Sequence, residues 1–147
     1  MSQSNPTPDH RWKYDPGEWR FKHKWGNDYA GFEIENHEEV GKCPTSIDIK
    51  LAEELLNTGI GDPNMESPKN IFNVHQGVVY RAKVTLLGVS FHGFPEKETE
   101  NKRVPIIILR ALARRSQADG TFHLFKGWVQ KYLPKGWSSI PINIRCG

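Results

Sequence analysis

The sequence predicts an α+β fold: a single domain with an antiparallel sheet of about four to six strands and about three helices packed on it. Three observations lead there. Several short segments alternate apolar and polar residues with the period of two of half-buried strands. Two or three longer segments repeat apolar residues at helical spacing. The elements follow as two strands, a helix, two or three strands, two helices and a last strand, so strands and helices are segregated rather than interleaved. The 147 residues suffice for one domain. Hydrophobic content is only 37%, but five Trp, four Tyr and seven Phe supply large rings for a core.

Residues 1–10 read as a flexible, Pro-rich tail, which leaves 11–147 as the domain. Asp15-Pro16-Gly17 is a turn. From Glu18 to Trp25 the rings Trp19, Phe21 and Trp25 share one face with His23, and Arg20, Lys22 and Lys24 share the other. "GNDY" then offers turn residues before a second alternating run with Phe32 and Ile34. The predicted hairpin sets Lys22 opposite Glu33 and Arg20 opposite Glu35, which cancels the basic stripe of "WRFKHKW" as a platform for single-stranded nucleic acid.

"PTSIDIKLAEELLNTG" is the clearest helix. Thr45 or Ser46 can cap it, Asp48 suits its positive end, and Gly59 can stop it. Ile47, Leu51, Leu55 and Leu56 form its apolar stripe. After a loop, two or three strands fill residues 71–94, with a possible turn at Gln76-Gly77. "VPIIILRALARRSQADG" is strand or helix at its isoleucines and helix afterwards, up to Gly120. "FHLFKGWVQKYL" is a shorter helix ended by Pro134, and "SSIPINIR" alternates as a last strand would. The sets Ile47/Leu51/Leu55, Val78/Tyr80/Ala82/Val84 and Ile106/Leu109/Leu112 are expected to share one core.

The stretch "VVYRAKVTLLGVSFHGF", Val78 to Phe94, carries the functional expectation. A two-residue turn at Leu87-Gly88 places Val84 opposite Phe91 and Ala82 opposite Gly93 on an apolar face, where Tyr80 also belongs. On the other face Thr85 meets Ser90, Lys83 meets His92 and Arg81 meets Phe94. A slip of one residue would pair Lys83 with Phe91 and mix the faces. Neighbouring cations favour a neutral imidazole, which can act as a base near neutral pH, and Lys and Arg can hold a phosphate. His92, His75, Lys83 and Arg81 are therefore the candidate catalytic set of a metal-independent ribonuclease: one group takes the ribose 2′-proton, another protonates the leaving oxygen, and cations stabilise the phosphorane. Glu96, Glu98 and Glu100 follow closely enough to neutralise those cations instead.

The net charge of +3 permits a nucleic-acid partner without demanding one. The basic excess is local: from residue 102 onward Asp119 is the lone acid among nine Lys and Arg. Of these, Arg110, Arg114, Arg115, Lys126 and Lys131 are the expected RNA-facing cations. Cys43 and Cys146 lie far apart, no Cys or His pair has metal-ligand spacing, and no phosphate-binding or dinucleotide motif occurs, so neither metal nor cofactor is expected. With no apolar run of membrane-spanning length, the expected location is cytoplasmic, with reduced thiols and no membrane partner. Two functions fit: a small RNA-acting protein, such as a bacterial toxin-like ribonuclease, or a non-enzymatic protein of immunity or adaptor type that binds a protein partner. The first requires at least two of the four candidate residues in one concave site with their cations unpaired. The second requires them apart or paired.

Overall fold

The computed structural model describes residues 11–15, 23–61 and 66–145. The expected tail, residues 1–10, and the expected partners Arg20 and Lys22 lie outside that range. The fold is α+β. Its strands are β1 (Lys13–Tyr14), β2 (Gly31–Glu35), β3 (Glu38–Lys42), β4 (Ile60–Gly61), β5 (Asn70–His75), β6 (Val78–Leu86) and β7 (Ser90–Pro95). Its helices are α1 (Ile49–Asn57), α2 (Ile106–Ala118), α3 (Phe122–Tyr132), α4 (Pro134–Ser139) and α5 (Ile142–Arg145). The main sheet has the order β1-β7-β6-β5-β4, antiparallel except for the parallel β1–β7 pair, and β2–β3 form a separate hairpin.

Both faces of the main sheet are covered, so the expected single core is two. One face carries Phe72, Val74 and Val79 and packs under α2 and α3, through Ile108, Leu109, Leu112, Phe125 and Val129. The opposite face carries Ile71, Ala82 and Phe91 and packs against Trp12 and Leu56. The strand period of two causes the split, because successive residues of a strand must enter different layers. In α1 the buried residue is Leu56, while Leu51 and Leu55 are half-buried at the margin. Asp48, not Thr45 or Ser46, is the N-cap, accepting from the Leu51 amide at 2.8 Å.

The β6–β7 hairpin settles the register. Its loop is Leu87-Gly88-Val89, one residue longer than the two-residue turn, with Leu86 opposite Ser90. An irregularity between Val84 and Leu86 then absorbs the extra residue, and from Val84 onward the pairing is Val84–Phe91, Lys83–His92, Ala82–Gly93 and Arg81–Phe94. Loop and bulge cancel, which keeps Ala82 and Phe91 on one face. Gly88 supplies the positive φ of 76° that the loop needs.

The β2 strand pairs with β3 through a two-residue turn at Asn36-His37, and residues 18–22 of the strand expected beside it lie outside the described residues. Both turn residues have positive φ, 50° and 67°, as in the turn that matches strand twist. Glu33 and Glu35 accordingly meet Lys42, at 3.9 and 2.6 Å. Residues 106–108 are helical, and the C-terminal tail forms α4 and α5 where a strand was expected. Ile140, Ile142 and Ile144 alternate, but Ile140 and Ile144 are also four apart, and those two are the buried ones.

Candidate functional site

Arg81 and Lys83 project from β6 on the face that α2 and α3 cover at its centre; His92 and Phe94 share that face from β7. Arg81 is buried there. Its Nε donates to Glu96 Oε1 at 2.9 Å, its Nη2 donates to Glu96 Oε2, and its Nη1 donates to Asn70 Oδ1 at 3.1 Å. The guanidinium also lies 4.7 Å from the Phe72 ring centroid. Every nitrogen of the guanidinium is thus engaged, and Glu96 is itself 3% exposed. A phosphate could reach Arg81 only by displacing a buried carboxylate. Arg81, expected as a phosphate-holding cation, is held between Glu96 and Asn70 and ties the sheet to the segment after β7.

His75 is also apart. It pairs with Val78, which puts it on the face of Tyr80 and Ala82, opposite to that of Lys83 and His92. It lies five residues along the ladder from the Lys83 level, roughly 17 Å. Lys83 and His92 are left as cross-strand neighbours, Lys83 exposed and His92 half-buried. The His92 ring stacks on His23 at 5.8 Å and tilts against Phe94 at 5.8 Å; His23 in turn stacks on Phe94 at 5.1 Å. His23 Nδ1 lies 2.7 Å from the Gly41 carbonyl, so that nitrogen carries the proton and donates. The sequence pattern placed His23 on a face of rings, but nothing in it showed that the ring would meet β7.

The expected RNA-facing cations divide. Arg110, Arg114, Lys126 and Lys131 are exposed on α2 and α3. Lys131 Nζ sits 5.1 Å from the Tyr132 ring centroid. Arg115 is structural: its Nη1 donates to the Thr58 carbonyl at 2.8 Å and to Asn73 Oδ1 at 3.1 Å. Partial burial pulls the Arg115 guanidinium down from its ordinary value. Glu98 faces none of these cations; its carboxylate accepts from the Lys135 and Gly136 amides at the start of α4.

Among the described residues no group of three or more His, Cys, Asp or Glu is arranged to hold a metal ion. Likewise no helix is long and apolar enough to cross a membrane. No family model matches the chain, and neither a curated protein nor a solved structure shows significant similarity to it.

Proposed function

We propose that this chain is a non-enzymatic binding protein and that its partner is an acidic protein surface docked on the outer face of α2. The observation that carries this reading is the composition of that face. Ile108, Leu109, Leu112 and Ala113 turn inward, which leaves Ile107, Arg110 and Arg114 exposed at a spacing of three and four, with Arg103 exposed four residues before them. An arginine stripe around an exposed aliphatic side chain suits a protein interface, where Arg is enriched at energetically dominant positions. Stacking on nucleic-acid bases needs accessible rings instead. The rings of this helical layer, Phe122, Trp128, Tyr132 and Trp137, pack against the core. The pairing of Arg81 with Glu96 and the remoteness of His75 leave Lys83 and His92 as the neighbouring pair of the four, which supports the binding reading over the ribonuclease one.

The test is a pair of assays on the purified protein. An amphipathic Glu/Leu helical peptide should bind in fluorescence anisotropy. Reversal of the stripe by Arg110→Glu with Arg114→Glu should weaken that binding at least about tenfold, with salt acting in the same direction. A labelled RNA pool should not be cleaved, with or without EDTA. Metal-independent cleavage that disappears in His92→Ala would restore the ribonuclease reading, and retention of peptide affinity by the reversed variant would remove α2 as the interface.

A further inference from the structure

The β6–β7 hairpin ends in an apolar tip. Leu86, Leu87 and Val89 are all exposed there, around Gly88. The tip reaches past the last ladder pair with β5, Asn70–Lys83. Much of its polarity is satisfied within the protein. The Val89 amide donates to the Leu86 carbonyl at 2.9 Å, and the Val89 carbonyl accepts from the Lys13 amide at 2.9 Å. The Thr85 and Ser90 hydroxyls share a hydrogen bond of 2.7 Å. Cations stand behind the tip. Lys13 pairs with Ser90, Lys83 lies three residues before Leu86, and the Lys69 carbonyl accepts from the Val84 amide at 2.9 Å. Each is within roughly 10 Å of the tip along the backbone. All three are exposed, and among the described residues none has an ion-pair partner. Arg11, also exposed, adds a fourth charge, its Nη2 donating to the Glu66 carbonyl at 3.3 Å. Glu66 is the acid of this neighbourhood; Asp15 lies farther back, its amide on the Phe91 carbonyl at 2.6 Å.

Clustered aliphatic side chains in water are unfavourable, and these project from the end of a hairpin rather than line a groove. The cations behind them decide the partner. Lys carries its charge on a long apolar stem, so its ammonium can stay among polar groups while the tip goes deeper. Lys is depleted at protein interfaces, where Arg and aromatic rings prevail. The tip has no ring, and the cations nearest to it are lysines. We propose that this hairpin tip docks on the surface of an anionic lipid bilayer, with Leu86, Leu87 and Val89 entering the headgroup region and Lys13, Lys69 and Lys83 set against the lipid phosphates. The hydrogen bonds within the tip favour this, because a backbone group that leaves water unpaired opposes insertion. A few apolar side chains or a few charges alone hold a protein weakly at a bilayer, and the two together reinforce each other. Contact of this kind needs no membrane-spanning segment, the feature on which the expectation of no membrane partner rested. The tip shares no residue with the α2 stripe, so the two readings stand or fall separately.

The experiment is co-sedimentation of the full chain with vesicles of phosphatidylcholine, alone or mixed roughly 3:1 with phosphatidylserine. The wild type should bind the mixed vesicles at least about tenfold more tightly than the neutral ones, and added salt should release it. Leu87→Asp should weaken binding to the mixed vesicles about tenfold or more, and Leu87→Trp should strengthen it, since indole favours the headgroup level. Both change an exposed side chain, so their unfolding midpoints should stay near that of the wild type. Lys13→Gln, Lys69→Gln and Lys83→Gln should each lower the affinity about fivefold. Peptide binding at α2 should be the same in Leu87→Asp as in the wild type. Absence of wild-type binding to the mixed vesicles, equal binding by Leu87→Asp, or equal binding by the triple lysine variant would each overturn the proposal. A concentration-dependent dimer in size-exclusion chromatography that Leu87→Asp disperses, without vesicle binding, would give the tip to a second copy of the chain instead.

Discussion

At the scale of single residues, the arginine on β6 and the glutamate at the end of β7 decide more than any other pair. Arg81 and Glu96 are both buried, so each is tolerable because of the other. Glu96→Ala should cost about 3–5 kcal/mol in urea denaturation, because it strands a charge inside the domain. Arg81→Met combined with Glu96→Leu should cost far less than the sum of the single changes, and a double-mutant cycle reads the difference. Glu35 gives a pH signature. Its hydrogen bond to Lys42 holds its carboxyl below the ordinary carboxylate range. The resulting stability is complete above the unfolded value and is lost as pH falls through the lower, folded one. Stability should therefore drop on acidification below about pH 4.5, and the drop should be shallower in Glu35→Gln.

At the scale of elements, legibility in the sequence followed the number of residues that enforced each choice. The 78–94 hairpin was legible in its faces because Ala82, Val84 and Phe91 all argue for one register. The compensating bulge was not, since nothing local marks Thr85 as the unmatched residue. The β2–β3 hairpin is not legible in the sequence because "GNDY" is a stronger turn signal than "NH", although Asn36 tolerates the left-handed region. His37 bears that strain without glycine's freedom, so His37→Gly should raise stability by up to about 1 kcal/mol, measured by thermal and chemical unfolding. Within α1 the burial contrast predicts an order: Leu56→Ala should cost about 2–5 kcal/mol and Leu51→Ala distinctly less. In the candidate site, Lys83 and His92 were legible as neighbours from register alone. The fate of Arg81 was legible only as an alternative, because choosing Glu96 over solvent depends on α3 covering that face.

At the scale of the whole molecule, two cores on opposite faces need something to make them act together, and Asn73 does this. Its Nδ2 donates to the Leu55 carbonyl at 2.8 Å and to Thr58 Oγ1 at 3.1 Å, at the end of α1. Its Oδ1 accepts from the Val74 amide at 2.8 Å and from Arg115 of α2 at 3.1 Å. All four hydrogen-bonding positions of the amide are filled. Asn73→Leu keeps the volume but orphans these partners, and should cost about 1–3 kcal/mol. Hydrogen exchange offers the sharper check: amides of α1 and α2 should open together in the wild type and at different free energies in the variant.

The bulge that corrects the β6–β7 register also isolates the loop mechanically. Because the ladder is re-phased at Val84, whatever happens at Leu87-Gly88-Val89 need not propagate into the two layers below. The loop is solvent-exposed, including Leu87 at 60% and Val89 at 43%. It is thus a natural splice point: a short foreign peptide inserted after Gly88 should leave the unfolding midpoint nearly unchanged, making the tip a place to mount an epitope or a fluorophore.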